Sequence, residues 1–325
     1  MLARNILITA IAPLALGFGH RNYRDAVPPL AQINDNRIAA GVMKDSTLTV
    51  HLYVGMARWY PEAADGPYAD VAAVGEEGKP LQIPGPLIRV PAGTTIDATI
   101  RNALSDSTIY IRGVLTNSAK PMDSLPILPG ESRTLRYKAN TAGDFWYVAT
   151  PGLVDWDKRE RETAAGAIIV DAPGAHKPDR VFVINIWGES DQKDTSIYNN
   201  ALAINGKSWP YTERISTNVG DSLRWHVVNA TTRNHPMHLH GFYFRVAGRN
   251  GITFAPEKQP LEVTDDMNAF SAIVMDWAAD RPGNWLFHCH IGFHVLPGDA
   301  QLSGHMKHGS HDMEAERHMA GLILG

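Results

Sequence analysis

Two widely separated stretches of this chain follow one plan, and that duplication restricts the fold more than any other feature. Gly93-Thr-Thr-Ile-Asp-Ala-Thr-Ile-Arg-Asn102-Ala103 aligns without gaps on Gly220-Asp-Ser-Leu-Arg-Trp-His-Val-Val-Asn229-Ala230. Further on, Gly143-Asp-Phe-Trp-Tyr-Val148-Ala149-Thr150 aligns on Gly283-Asn-Trp-Leu-Phe-His288-Cys289-His290. These are short strand-like runs bounded by turn residues, and their recurrence predicts two tandem copies of one β-unit. The expected fold is all-β, with two consecutive Greek-key β-sandwiches. Other alternating runs agree, such as Leu48-Thr-Val-His-Leu-Tyr-Val54, and no useful helical periodicity precedes the C-terminal tail. The Pro- and Gly-containing segment Asp171–Arg180 reads as a linker, so the domains are expected at 45–172 and 178–325. Glu162–Asp171 reads as the closing strand of the first, and Trp146, Trp225 and Trp285 as sandwich core.

The second copy carries what the first lacks. It holds His235-Pro-Met-His238-Leu-His240-Gly241 and His288-Cys289-His290-Ile-Gly-Phe-His294, and Cys289 is the only cysteine in the sequence. A lone cysteine between two histidines suits a metal thiolate better than a disulfide. Both clusters sit in β-type sequence, where successive side chains point to opposite faces. His288 and His290 therefore share one face with Cys289 on the other, and His238 and His240 share a face in the same way. Cys289 would work with His235 and His294, since two imidazoles and a thiolate form the blue-copper arrangement. Zinc is the rival metal, but a structural zinc site wants four strong ligands.

The pattern H-P-x-H-L-H-G followed by W-L-F-H-C-H-I-x-x-H resembles the C-terminal cupredoxin domain of multicopper oxidases, the laccase-like family. The resemblance runs from about Ser46 to the C-terminus. It implies that His235, Cys289 and His294 hold a type 1 copper. It further implies that His238 offers a ligand to a type 2 copper, and His240, His288 and His290 to a type 3 pair. The reaction implied is one-electron oxidation of a phenolic, aromatic or metal-ion reductant, with dioxygen as electron acceptor. Cys289, His288 and His290 would then carry the electron path.

The family's first domain supplies two further H-x-H pairs, and here those positions read Tyr110, Arg112, Val148 and Thr150. Valine cannot ligate, and arginine stays cationic. A depleted oxygen-reactive site is therefore expected. The alternatives are a redox enzyme with one or two further coppers, a non-enzymatic copper-binding or electron-transfer protein, or ligands supplied from elsewhere. The last could mean a homo-oligomer such as a trimer, or a further cupredoxin domain. Met319–Gly325 reads as an unfinished apolar strand, which suits a fragment of a longer protein. The axial ligand is open between Asp299 and a methionine such as Met306 or Met319. The segment 305–319 is rich in His and Met and reads either as a solvated loop or as a copper-handling one.

Composition places few other limits. A 44% hydrophobic chain of 325 residues can build two ordinary cores, and a net charge of -4 gives no reason to expect nucleic acid. Residues 1–20, with Arg4 before an apolar run, read as a signal peptide for a periplasmic or secreted protein. That run is too short and too proline-broken for a stable membrane span.

Overall fold

The computed structural model describes residues 27–113, 124–152, 160–161, 163–174, 179–190, 198–303 and 318–325. The expected signal segment, part of the linker and most of the His/Met-rich segment, with Met306, lie outside these.

The described chain is all-β and forms two sandwiches. In the first, one sheet runs in the order Gln32–Ile33, Leu81–Ile83, Ala69–Glu76, Thr47–Trp59, Thr94–Asn102, Ser132–Ala139. The facing sheet runs Ile88–Pro91, Ala165–Asp171, Gly143–Pro151, Ile109–Arg112, Leu125–Ile127. Thr94–Asn102 forms a strand because its residues alternate strictly between buried and half-buried. Ile96, Ala98 and Ile100 thereby enter one core with Val50, Leu52, Ile109 and Ile168.

The second sandwich repeats this plan. Asp179–Ser190 lies parallel to Ser222–Asn229, as Thr47–Trp59 lies parallel to Thr94–Asn102. Its facing sheet runs Thr264–Met267, His235–Leu239, Phe287–Cys289, Ile323–Leu324. Ser222–Asn229 departs from its counterpart in being buried on both faces towards its end. One face enters the second core through Trp225 and Val227, while Val228 joins Leu87, Trp146, Val148 and Ile169 of the first sandwich. The two sandwiches thus share an apolar interface. Trp59 ties it further by donating its indole N–H to the Gly206 carbonyl at 2.8 Å.

The repeated asparagines have a physical explanation. Asn102 donates to the Ser107 and Ile127 carbonyls and accepts from the Leu104 N–H. Asn229 does the same for the Arg233 and Asn268 carbonyls and the Thr231 N–H. Each buried amide satisfies the backbone where a strand ends and a loop begins.

One register differs from the ungapped alignment. Val148 pairs with Arg112, whereas its counterpart His288 pairs with His238 rather than His240. The offset is two residues, so every side chain keeps its expected face. Gly113 and Gly241 still match in conformation, at φ of 80° and 78°. A Cβ at Gly241 would also lie 2.5 Å from the Trp285 ring, so both backbone and space require glycine there.

Candidate metal centre

Two sets of histidines occupy opposite faces of the sheet formed by His235–Leu239 and Phe287–Cys289. The strands pair Met237 with Cys289 and His238 with His288. On the inner face, His235, Cys289 and His294 are all buried. Among the described residues they are the one group of three or more His, Cys, Asp or Glu residues whose ligand atoms lie within 4.8 Å of one another. The Cys289 Sγ is 3.8 Å from His235 Nδ1 and 3.4 Å from His294 Nδ1, and the two Nδ1 atoms are 3.1 Å apart. His294 arrives from a short 3-10 turn, Gly292–His294, which swings the chain back under the strand.

The hydrogen bonds around His235 set its tautomer. Asn229 Nδ2 donates to two carbonyls, so Oδ1 is the acceptor, and the Thr231 hydroxyl donates to it at 2.8 Å. Having placed its proton there, Thr231 Oγ1 accepts the Nε2–H of His235 at 2.9 Å. The Nδ1 lone pair of His235 therefore points at Cys289 and His294. In the first copy Leu104 stands where Thr231 stands. Sequence reasoning missed Thr231, although this Leu-to-Thr difference inside the repeat was its signal.

Burial sets the electrostatics of the inner set. Desolvation, with His294 and Arg233 nearby, holds His235 well below its usual value. Desolvation and the Arg233 cation bring His294 down to about 3. Burial pushes the Cys289 thiol up to about 11. Both imidazoles are thus neutral with available lone pairs, and a metal must displace the thiol proton to bind.

On the outer face, His238, His240, His288 and His290 lie in ring contact. Centroids are 4.7 Å apart for His238 and His240, 4.6 Å for His238 and His290, 5.0 Å for His240 and His288, and 5.1 Å for His288 and His290. His288 donates its Nδ1–H to the Cys289 carbonyl at 2.7 Å, which leaves Nε2 unprotonated in the neutral ring. That Nε2 is 2.9 Å from His240 Nε2, an approach that suits two ligands converging on one cation. Thr264 Oγ1 holds His238 Nδ1 at 2.9 Å. Desolvation lowers His288 to about 4 and also lowers His238. His240 and His290 are the exposed members. This set is more open than the inner one.

The first-copy positions carry no imidazole. Arg112, Val148 and Thr150 are buried and Tyr110 is half-buried. Asp299 lies in the short helix Pro297–Ala300, outside the inner three-residue group. Met319 is exposed on the returning C-terminal segment. Trp146 and Trp225 are core, as expected, and Trp285 is half-buried and packs against the second core.

A second buried cluster was not anticipated from sequence. His226 Nδ1 lies 2.9 and 2.8 Å from the two carboxylate oxygens of Asp144, across the interface between the sandwiches. Its Nε2 is 3.6 Å from Asp179, which Arg89 also binds. Burial opposes charge on His226, but Asp144 and Asp179 outweigh it and raise it to about 9. Nothing in the local sequence pairs Asp144 with His226; only the fold does.

Comparisons with known proteins agree on the family. Residues 78–175 and 177–301 each match a family model described as multicopper oxidase. A protein of Kuenenia stuttgartiensis described as a nitrite reductase-hydroxylamine oxidoreductase fusion is 26% identical over 274 residues, 77% of this chain and 30% of that protein. Rat ceruloplasmin (Rattus norvegicus) is 24% identical over 74% of this chain and 25% of its own length. Laccase-1 of Arabidopsis thaliana is 35% identical over 27% of this chain and 19% of its own. The chain thus spans less than a third of these curated relatives. Among solved structures, a blue copper oxidase from Nitrosomonas europaea superposes with a TM-score of 0.65 at 20% identity, covering 86% of this chain and 85% of that one. A copper nitrite reductase from the same organism gives 0.58 at 18%, covering 75% and 89%. At these identities the superpositions bear on the fold, and the fold is that of cupredoxins.

Proposed function

Because the chain belongs to the multicopper oxidase family, we propose that it is a copper-dependent oxidoreductase that takes single electrons from a phenolic, aromatic or metal-ion reductant. The observation that carries this reading is the back-to-back placement of the inner His235–Cys289–His294 group and the outer imidazoles on one strand. The donor set fits copper: a thiolate with two buried, neutral imidazoles inside, and imidazoles alone outside. Copper bound at these residues would supply one-electron redox chemistry.

The protein's own contribution lies in orientation, exclusion of water and connection. Thr231 orients His235, and the buried floor formed by Met237 and Phe287 keeps the thiolate dry. Cys289 is covalently joined to His288 and His290, and the Nδ1–H of His288 returns to the Cys289 carbonyl. Two short routes therefore join the inner face to the outer one. Lacking first-copy imidazoles, the outer set binds one or two metal ions rather than a full cluster. We assign residues 45–172 and 178–325 to the two domains, and export to the periplasm or beyond. Among the described residues no helix is long and apolar enough to cross a membrane.

Oxygen uptake by the copper-loaded protein, driven by a phenolic reductant, tests the proposal. Uptake that disappears in Cys289→Ser supports it. Reversible reduction of the copper with no oxygen uptake would instead assign an electron carrier, which the openness of the outer set also permits.

A further inference from the structure

One short loop reaches both imidazoles of the inner group from behind. Asn229 Nδ2 donates to the Arg233 carbonyl at 2.7 Å, and the Arg233 N–H donates to Thr231 Oγ1 at 3.2 Å, which closes residues 229–233 on themselves. From this loop Thr231 meets Nε2 of His235, and Arg233 Nη1 lies 3.5 Å from Nε2 of His294. Each contact is to the ring nitrogen turned away from Cys289, because both Nδ1 atoms face its sulfur.

Arg233 is held from outside as well. Its guanidinium lies 5.5 Å from the Phe293 ring centre, and that ring packs edge-on against His294 with centroids 4.5 Å apart. Arg233 is half-buried, so water screens its charge only in part. The matching loop of the first copy carries Asp106 where Arg233 stands. The sign of the charge is thus reversed in the copy that holds the ligands. Arg233 opposes positive charge on both His235 and His294, adding to the effect of their burial. A charge of the other sign, the exposed Asp266 carboxylate, acts on Cys289 from the strand Thr264–Met267. Arg233 is the charge that touches a ring of the inner group.

We propose that Arg233 is a positioning residue that sets the reduction potential of the inner site, a role that rests on copper binding at His235, Cys289 and His294. In the step concerned the reductant loses one electron and the site gains it, copper(II) becoming copper(I), with no bond made or broken. The site therefore becomes less positive by one charge. A cation fixed at the outer edge of His294 repels the oxidised state more than the reduced one, so it raises the potential. The inner site is thereby made a stronger acceptor of electrons.

Three variants test this by ranking charge: Arg233→Lys keeps it, Arg233→Gln removes it and Arg233→Glu reverses it. Each copper-loaded protein is equilibrated with a mediator couple of known potential while the thiolate-to-copper absorption is followed. Arg233→Gln is expected to shift the equilibrium about tenfold towards the oxidised site, or about 59 mV for one electron. Arg233→Glu should shift it by about a further tenfold, and Arg233→Lys should restore most of the wild-type value. An order that follows charge is the signature that altered packing does not produce. Potentials in Arg233→Gln and Arg233→Glu equal to wild type, with the blue absorption intact, would overturn the inference and leave the copper reading standing. Changes of equal size in all three variants would also overturn it. Wild-type protein that takes up copper without any thiolate colour would overturn the copper reading itself, and this inference with it.

Discussion

Thr231→Val removes one oxygen and tests whether the inner site is pre-oriented. Thr231 is fully buried, and among the described residues its hydroxyl is the side-chain oxygen that accepts from His235 Nε2. Valine keeps the shape but leaves that imidazole N–H without an acceptor, at a cost of about 1–3 kcal/mol to the folded apo protein. It also frees His235 to adopt the other tautomer, with Nδ1 protonated and turned towards Cys289. Loss of such a partner typically weakens metal binding about 10–100-fold, or about 1.4–2.7 kcal/mol. Copper affinity is read by competition with a chelator while the thiolate-to-copper colour is followed, and apo stability by urea unfolding. Thr231→Ser retains the hydroxyl and serves as the control. Colour and affinity within about twofold of wild type in Thr231→Val would refute the tautomer argument, whatever happened to stability.

Further expectations concern the interface between sandwiches. His226 is raised to about 9 in the folded state, against an unfolded value of about 6.5. Its stabilising contribution is therefore complete below about pH 6.5 and is lost as pH rises through about 9. Urea unfolding between these limits should show falling stability, and Asp144→Asn should flatten the fall; parallel slopes in the two proteins would contradict the pairing. Trp59→Phe deletes the buried bond to Gly206 and part of a fully buried side chain. It should lower stability by about 2–4 kcal/mol, measured by the urea midpoint, and a change below about 0.5 kcal/mol would count against a tight interface.

The fold was legible because strands announce themselves locally and the duplication supplies a second reading of each. Asn102 and Asn229, or Gly113 and Gly241, mark the same turns twice. The grouping of the inner side chains was legible for a related reason: strict alternation puts His235 and Cys289 on one face and His238 and His288 on the other. What escaped was set by tertiary contact. The two-residue register offset opposite Val148 depends on pairing, which an alignment of one strand at a time does not see. Asp144 and His226 come from different sandwiches, and neither has a local pattern that names the other. Thr231 was visible only as a departure from Leu104, and its meaning required the position of His235. Trp285 fits the periodicity of a core residue and packs against the second core from its rim, half-buried.

The two-faced copper arrangement is tested most directly by the copper content of the fully loaded protein, together with its electron paramagnetic resonance spectrum. A thiolate-ligated blue signal that vanishes in Cys289→Ser is expected, accompanied by at most two further coppers lost when His240 and His288 are replaced together. A blue signal that survives Cys289→Ser would contradict the inner site. A full complement of four coppers in the isolated chain would contradict the depleted outer one.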